Sequence, residues 1–311
     1  MKKYGFIFIL AVVLASCSSS PKRPMLVTEI SSKANERYEA ANAELVAGQF
    51  EKAAVHLSQA YNLAVSVDAS SLLCKICFSG IVYKIDVKDF NANVKGTRNF
   101  VETEDSSSSF LNYSADKILS NAELFAKRSA SGDILLKIYE LYKVKLELAK
   151  KGKDYAAYLS SLSGIEKDIS KETYYLGYLY RTKGDIHALS GDYASAEKCY
   201  TEAANIHTKN RFLMEVGLDW YSTASCRSLS GNKQGAREAI LMALKYDRDA
   251  ENTGAIALDY YALSKILLKG NPTQKEKEDA RASCLWASEI YEAAGFAAEA
   301  RECREAAAAI K

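Results

Sequence analysis

The stretch YRTKGDIHALSGDYASAEKCYTEA, residues 180–203, contains the pattern that decides the fold. Gly191 follows a run of helical composition, so it predicts the end of one helix and a turn of the chain. In the run that follows, the small Ala196 and Ala203 and the bulky Tyr200 are spaced so that they share one face of a second helix. Small residues on that face let two antiparallel helices approach closely. The stretch therefore predicts a helical hairpin.

The same pattern occurs elsewhere in the chain. A turn glycine is followed at the same offsets by small, bulky and small residues in two further places: Gly231, Ala236, Ile240 and Ala243, and Gly48, Ala53, Leu57 and Ala60. The pattern resembles the tetratricopeptide repeat (TPR) over residues 34–64 and 175–247. Such repeats bury their hydrophobic core between neighbours and require a cap at each end.

Degraded copies of the pattern occupy the rest of the chain. They are predicted at residues 69–85 with 110–128, at 133–168 with Gly152 at the turn and Ala157 at the small position, and at 253–270 with a late second helix from Thr273. A last helix at 296–310 has a charged face suited to a cap. The resemblance therefore implies an all-α, right-handed helical solenoid of about six hairpins plus a C-terminal capping helix.

The chain divides into three expected parts. Lys2 and Lys3 precede a short apolar run, residues 4–14, which predicts a signal peptide over 1–16. Residues 17–30 are expected to be a flexible tether, and 31–311 the helical domain. An irregular insertion at about 86–109 interrupts that domain and ends in an acidic, serine-rich run.

The sequence LASC, which ends at Cys17, resembles the bacterial lipobox. The resemblance implies cleavage before Cys17 and lipid attachment to its thiol, with palmitate among the acyl chains. An ordinary cleavage site is the alternative. Ser18 follows in place of the aspartate that retains lipoproteins at the inner membrane. We therefore expect a lipid-anchored, exported protein, with the outer membrane facing the periplasm favoured weakly.

Composition argues against several classes of function. The chain carries 41 basic and 39 acidic residues, and the expected signal peptide removes two of the lysines, so the mature chain is neutral. A neutral surface does not favour nucleic acid. The sequence has three histidines and lacks the common nucleophile, phosphate-binding and zinc-protease motifs. We expect no enzyme activity, cofactor or metal.

Six cysteines follow Cys17, at positions 74, 77, 199, 226, 284 and 303. Most of them occupy apolar helix positions, so buried thiols are expected. Disulfides remain an alternative because the number is even and the protein is expected to be exported. Cys74 and Cys77 form a CxxC pair, but they lie within an apolar helical run, so a redox or metal role is the weaker interpretation.

TPR proteins usually bind partners in a concave groove lined by the first helix of each hairpin. The positions that the resemblance places in this groove carry several tyrosines with polar residues one turn away: Tyr38, Asn42, Tyr139, Tyr142, Tyr178, Arg181, Asp185, Tyr221, Ser225, Tyr260 and Ser264. Tyrosine suits binding because a rigid apolar ring carries a polar tip. The alternative is that these rings fill the space between repeats.

The sequence thus predicts a membrane-anchored scaffold that binds a protein or peptide partner in the cell envelope. Two alternatives remain open at this stage. One is a periplasmic binder of a small molecule that works with a transporter. The other is a surface-exposed lipoprotein that contacts a host, with the 86–109 insertion as its exposed element.

Overall fold

The computed structural model describes residues 28–93 and 110–311, and all regular secondary structure in these ranges is α-helical. Cys17, the expected signal peptide and most of the expected tether lie outside the described residues. The helices are α1 Glu29–Val46, α2 Phe50–Ser66, α3 Ser70–Asn93, α4 Ala115–Arg128, α5 Gly132–Ala149, α6 Tyr155–Glu166, α7 Thr173–Leu189, α8 Tyr193–Lys209, α9 Leu213–Leu229, α10 Lys233–Asp249, α11 Thr253–Leu267, α12 Gln274–Ala293 and α13 Ala297–Ala309.

The helices form six consecutive hairpins, and α13 packs on the last of them. Each hairpin joins an odd-numbered first helix to the even-numbered second helix that follows, and each second helix also packs against the next first helix. This arrangement confirms the predicted helical solenoid with a C-terminal capping helix.

The contacts also show which side of the stack is concave. Most consecutive first helices touch each other, namely α1 with α3, α3 with α5, α5 with α7, and α9 with α11. Within the described ranges, consecutive second helices make no comparable contact. The stack is therefore tighter along its first helices, which line the inner side of the curve.

The turns between helices follow from local sequence. Gly191 has a φ of +84°, a left-handed conformation that glycine adopts without a steric penalty. The next residue, Asp192, caps α8 by accepting a hydrogen bond from the Ser195 amide at 3.0 Å. In the third hairpin the predicted turn glycine differs, because Lys151 rather than Gly152 takes the left-handed conformation.

The small and bulky positions of the pattern form the core between helices. All nine residues of the three best copies are buried: Ala53, Leu57, Ala60, Ala196, Tyr200, Ala203, Ala236, Ile240 and Ala243. Within the third hairpin the prediction was wrong at Ala157, which is exposed near the start of α6. Leu162 and Ile165 are buried there instead, together with Ile169 just after the helix, so a different face of α6 packs inward.

The insertion is shorter on its N-terminal side than the sequence suggested. Helix α3 continues to Asn93, so the first part of the segment expected to be irregular is helical. Residues 94–109, with the acidic and serine-rich run, lie outside the described residues. No helix in the described part of the chain combines the length and apolarity needed to cross a bilayer.

The curve of the solenoid brings its two ends together. A side chain at Gly254, near the start of α11, would place its Cβ 3.2 Å from the carbonyl oxygen of Ala47, which follows α1. The same point is 3.9 Å from Cε2 of Phe296, just before α13. The first hairpin therefore lies against the last one, and the absence of a side chain at Gly254 permits that contact.

Candidate functional site

Aromatic side chains fill the inner face of the N-terminal hairpins. Tyr142 of α5 stacks on Phe78 of α3, with ring centroids 4.5 Å apart and the planes almost parallel. Tyr178 of α7 lies on the other side, with its centroid 5.4 Å from that of Tyr142. All three rings are buried. Two predicted groove residues, Tyr142 and Tyr178, are thus held between first helices with little surface left for a partner.

Tyr38 of α1 is also drawn into this cluster. Burial raises the pKa of Tyr38, and hydrogen bonds with Asn42, Tyr175 and Ser79 partly offset that rise. Ser79 also donates a hydrogen bond to Asn42 Oδ1 at 2.6 Å. Tyr38 and Asn42 therefore connect α1 to α3 and α7, in the centre of the curve.

Arg181 of α7 belongs to a buried charged network. Its Nε lies 2.6 Å from Asp219 Oδ1, and its Nη2 donates to the Glu215 carbonyl at 2.9 Å. His207 Nδ1 lies 2.6 Å from the other Asp219 oxygen. Burial opposes the charged guanidinium, but Asp219 more than compensates and keeps the pKa of Arg181 above its ordinary value. The network joins α7, α8 and α9.

Asp185 is the next polar group along α7. Lys145 of α5 forms an ion pair with it at 2.7 Å, and the Tyr200 hydroxyl donates to its Oδ1 at 2.9 Å. Burial opposes the charge on Lys145, but Asp185 holds the pKa of that amine above its usual value. Asp185 is half-buried, so it keeps one side toward the inner surface.

The remaining predicted groove residues differ in exposure. Tyr139, Tyr221 and Tyr260 are half-buried, and Ser225 is exposed. The Tyr260 hydroxyl accepts a hydrogen bond from Arg248. Ser264 is buried and donates to the Tyr261 carbonyl at 2.8 Å.

The helix starts also define the repeat register. Helix α9 begins at Leu213 and α11 at Thr253, forty residues later. By this spacing Tyr261, one residue after Tyr260, is the structural equivalent of Tyr221.

One exposed stripe runs along the first helices of the C-terminal hairpins. On α9 it consists of Leu218, Ser222, Ser225 and Leu229, whose spacing places them on a single helix face. The equivalent residues forty positions later are Leu258, Ala262, Lys265 and Lys269. Forty positions earlier they are Tyr178, Thr182, Asp185 and Leu189, of which Tyr178 and Thr182 are buried. We call these positions the inner stripe.

The inner stripe exposes large apolar side chains. Leu189 is 59% exposed, Leu229 is 56% exposed, and Leu218 and Leu258 are 41% and 38% exposed. The Lys265 ammonium lies 3.8 Å from the ring centroid of Tyr261, and the side chain is exposed. The stripe can therefore offer apolar contacts along its length and positive charge at its α11 end.

Of the inner stripe, the sequence had indicated Tyr178, Asp185 and Ser225 but not Leu189, Leu229 or Leu258. A signal was present, since Leu189 and Leu229 are forty residues apart, as are Leu218 and Leu258. The tyrosines that the sequence indicated on α9 and α11, Tyr221 and Tyr260, lie beside the stripe and are half-buried.

A cleft of about 560 Å³ lies at the other end of the curve, between the starts of α1, α3 and α5. Its lining residues are mostly polar, and polar and apolar atoms share its surface about equally. It includes Tyr38, Lys75 and Arg128, together with the serines Ser31, Ser70, Ser71, Ser129 and Ser131. Arg128 is paired with Asp68 at 2.7 Å. The cleft has the size and the hydroxyl content to take a small polar molecule.

The thiols are buried rather than arranged for reaction. Cys74, Cys77, Cys226, Cys284 and Cys303 are buried, and Cys199 is half-buried, which agrees with the expectation from the sequence. Burial raises the pKa of Cys74 and of Cys303 to about 12. Those thiols stay protonated at neutral pH, and the protonated form is a poor nucleophile. Within the described ranges no three His, Cys, Asp or Glu side chains are grouped so as to hold a metal ion.

Comparison with known proteins supports the fold. No protein-family model matches the sequence, and no curated protein matches it either. Among solved structures, the chain is similar to the apo form of RapI, with a TM-score of 0.56 and 12% identity. The match covers 90% of this chain and 71% of RapI. At this identity the likeness shows a shared TPR-like helical-repeat fold.

Proposed function

We propose that this protein is a scaffold that binds a segment of a partner protein along the inner stripe of α7, α9 and α11. The observation that carries the proposal is the exposure of four leucines on that stripe, at positions 189, 218, 229 and 258. Elsewhere on the first helices, large apolar groups such as Phe78 and Tyr142 are packed away, and Ile30 at the start of α1 is an exposed exception. Exposed apolar groups that recur along one concave surface are typical of a protein-binding site.

The inner stripe also indicates the chemistry of the partner. A bound segment would need apolar side chains to cover Leu218, Leu229 and Leu258. At the α11 end it would need a carboxylate, because Lys265 and Lys269 are exposed there. An amphipathic helix or an extended peptide with apolar residues followed by an acidic residue meets both requirements.

The proposal includes a location. We propose that lipid on Cys17 holds the protein at the periplasmic face of a bacterial outer membrane, with the helical domain exported. The support is the basic start, the short apolar run and the LASC sequence at residues 14–17. From that position the inner stripe would meet proteins of the cell envelope.

The binding surface can be tested by crosslinking in cells. The native lipoprotein is crosslinked, purified and its partner identified by mass spectrometry, and then Leu229→Asp is compared with Leu241→Asp. Both leucines are about half exposed, at 56% and 48%, so both variants should fold. Leu241 lies on α10, away from the inner stripe. Loss of the partner with Leu229→Asp alone supports the proposal, and equal recovery from both variants contradicts it.

The polar cleft between the starts of α1, α3 and α5 favours a second function, the binding of a small polar molecule. Lys75 and the serine hydroxyls would supply its hydrogen bonds. Native mass spectrometry of protein purified from cells would detect a retained ligand. A ligand lost on Lys75→Ala but kept in Leu229→Asp would assign the cleft that role.

A further inference from the structure

Two sites in the solenoid occupy the same repeat position but neutralise charge differently. In the fourth hairpin and the next first helix, the site contains Gly177, Arg181, His207 and Asp219. Forty residues later the equivalent positions hold Gly217, Tyr221, Asp247 and Asp259. The second site therefore has a carboxyl in place of the histidine and a phenol in place of the arginine.

The backbone geometry of the two sites is alike. A Cβ at Gly177 would overlap the His207 ring, and a Cβ at Gly217 would overlap the Asp247 carboxyl. In each case a glycine of a first helix leaves room for a polar group of the second helix. In the first site Arg181 and His207 both approach the carboxylate of Asp219, so that negative charge has a guanidinium and an imidazole close to it.

The second site has no such partner. Asp247 and Asp259 are each 1% exposed. From the turn between α10 and α11, Asn252 Nδ2 donates to Asp247 Oδ1 at 3.4 Å, and Asp259 Oδ2 has no hydrogen-bond partner in the described structure. From α9 the neighbours are Gly217 and Tyr221.

Among the described residues, one cation acts to lower the pKa of Asp259. That cation is Arg248 of α10, which is exposed and bonded to Tyr260. Two adjacent carboxylates cannot both stay ionised in a buried site with so little compensation. A proton bound to one of the two carboxyls would remove the negative charge that no cation in the described ranges neutralises.

We propose that the Asp247–Asp259 pair is a pH-sensitive joint between the fifth and sixth hairpins, closed while the pair holds a proton and loosened when the proton leaves. Asp259 follows Leu258 in the chain, and Asp247 lies near the end of α10. Repulsion across the pair would therefore move α11 away from α9 and α10. That movement would displace the α11 part of the inner stripe.

The titration of the pair agrees with this geometry. Burial is the main cause that raises the pKa of both carboxyls, and for Asp259 the negative charge of Asp247 adds to it. In the unfolded chain an aspartate titrates near pH ~4. Between that pH and the raised range, the folded protein binds more protons than the unfolded chain does. Stability therefore falls as pH rises through this window.

The experiment compares hydrogen exchange of α11 amides, corrected for intrinsic rate, between pH 6 and 9. While one extra proton is bound in the closed form, the opening constant of α11 should rise about tenfold per pH unit. Asp259→Asn removes the charge conflict and leaves one buried carboxyl, Asp247, so the opening constant should rise less and stop rising at a lower pH than in the native protein. Amides of α4, which packs against α3 and α5, serve as the internal reference.

A second variant distinguishes an effect of charge at the joint from a simple loss of packing. Tyr221→Arg with Asp247→Asn gives Asp259 an arginine partner, as Asp219 has in the first site, without adding a titrating histidine, and it should remove the pH dependence while keeping α11 protected. Histidines 56, 187 and 207 are present in all three proteins, so their titration cancels in the comparison. An α11 profile that rises equally in the native protein and in Asp259→Asn would overturn the proposal, as would a flat profile in the native protein.

Discussion

Arg181 and Asp219 are buried together, with 2.6 Å between Nε and Oδ1, although they belong to different hairpins. We predict that Asp219→Asn lowers the free energy of unfolding by about 3–5 kcal/mol, because it leaves Arg181 buried without a counter-charge. Denaturant titration followed by circular dichroism measures the loss. Asp168→Asn is the control, since Asp168 pairs with Lys137 at 3.1 Å on the surface and the change should cost less than about 1 kcal/mol. Similar losses in the two variants would show that the buried pair contributes no more to the free energy of unfolding than the surface pair does.

The fold was largely predictable from sequence because a few residues give strong local signals. Gly191 and Gly231 mark turns through a backbone conformation that few other residues adopt, and Ala196 and Ala236 mark close helix contacts through their size. Both signals are local, so one sequence is enough to read them. Where such residues are replaced, as in α6, the sequence pattern placed Ala157 at the small buried position. Ala157 is exposed, and the pattern gave no indication that Leu162 is buried.

The candidate site was less predictable, because it depends on curvature. Sequence spacing placed Tyr38 and Tyr142 on the inner face, and both rings are buried there. The rings are buried because α1, α3, α5 and α7 converge. That convergence results from the combined curvature of several hairpins and cannot be inferred from the sequence of any one hairpin. The stripe containing Leu229 stays exposed for the same reason, since the first helices of the C-terminal hairpins are not covered in this way.

The contact between Gly254 and Ala47 gives a second prediction. Gly254→Val should separate the first and last hairpins, because its side chain would meet the Ala47 carbonyl and the Phe296 ring. We expect a larger radius of gyration by small-angle X-ray scattering and a lower unfolding midpoint. Gly164→Ala in α6 is the matched control. Its Cβ meets nothing within 4 Å, so it should stabilise the protein by roughly 0.5–1 kcal/mol. An unchanged radius in Gly254→Val would show that the ends do not need this contact.

The stacked pair Phe78 and Tyr142 predicts a large structural effect. Phe78→Ala should cost about 3–5 kcal/mol of unfolding free energy, because it opens a cavity among buried rings. Tyr113→Ala, at a ring that is 37% exposed, should cost much less. Chemical denaturation measures both. If Phe78→Ala instead left stability intact and reduced partner recovery, these rings would be part of the binding surface rather than the core.

The thiols should be unreactive in the folded protein. Burial raises the pKa of Cys226 to about 11 and that of Cys74 to about 12, so almost no thiolate forms at pH 7. We expect slow maleimide labelling of the native chain, with the half-buried Cys199 reacting first, and rapid labelling of all six thiols in denaturant. Mass spectrometry of timed samples gives the order. Fast native labelling at Cys74 and Cys77 would return the CxxC pair to consideration as a reactive site.

Cys17 predicts where the protein is located in the cell. Its thiol can become a nucleophilic thiolate, which a serine hydroxyl at the same position cannot match. Each buried CH₂ of an acyl chain contributes about 0.8 kcal/mol, so one chain gives marginal binding and several give stable anchoring. Cys17→Ser should therefore lose labelled palmitate and move from the membrane fraction to the soluble fraction of the cell. Cys199→Ser, which changes a thiol of α8, should lose neither. Palmitate that persists in Cys17→Ser would place the lipid elsewhere, and a native protein without palmitate would remove the anchor from the proposed function while leaving the inner stripe as its binding surface.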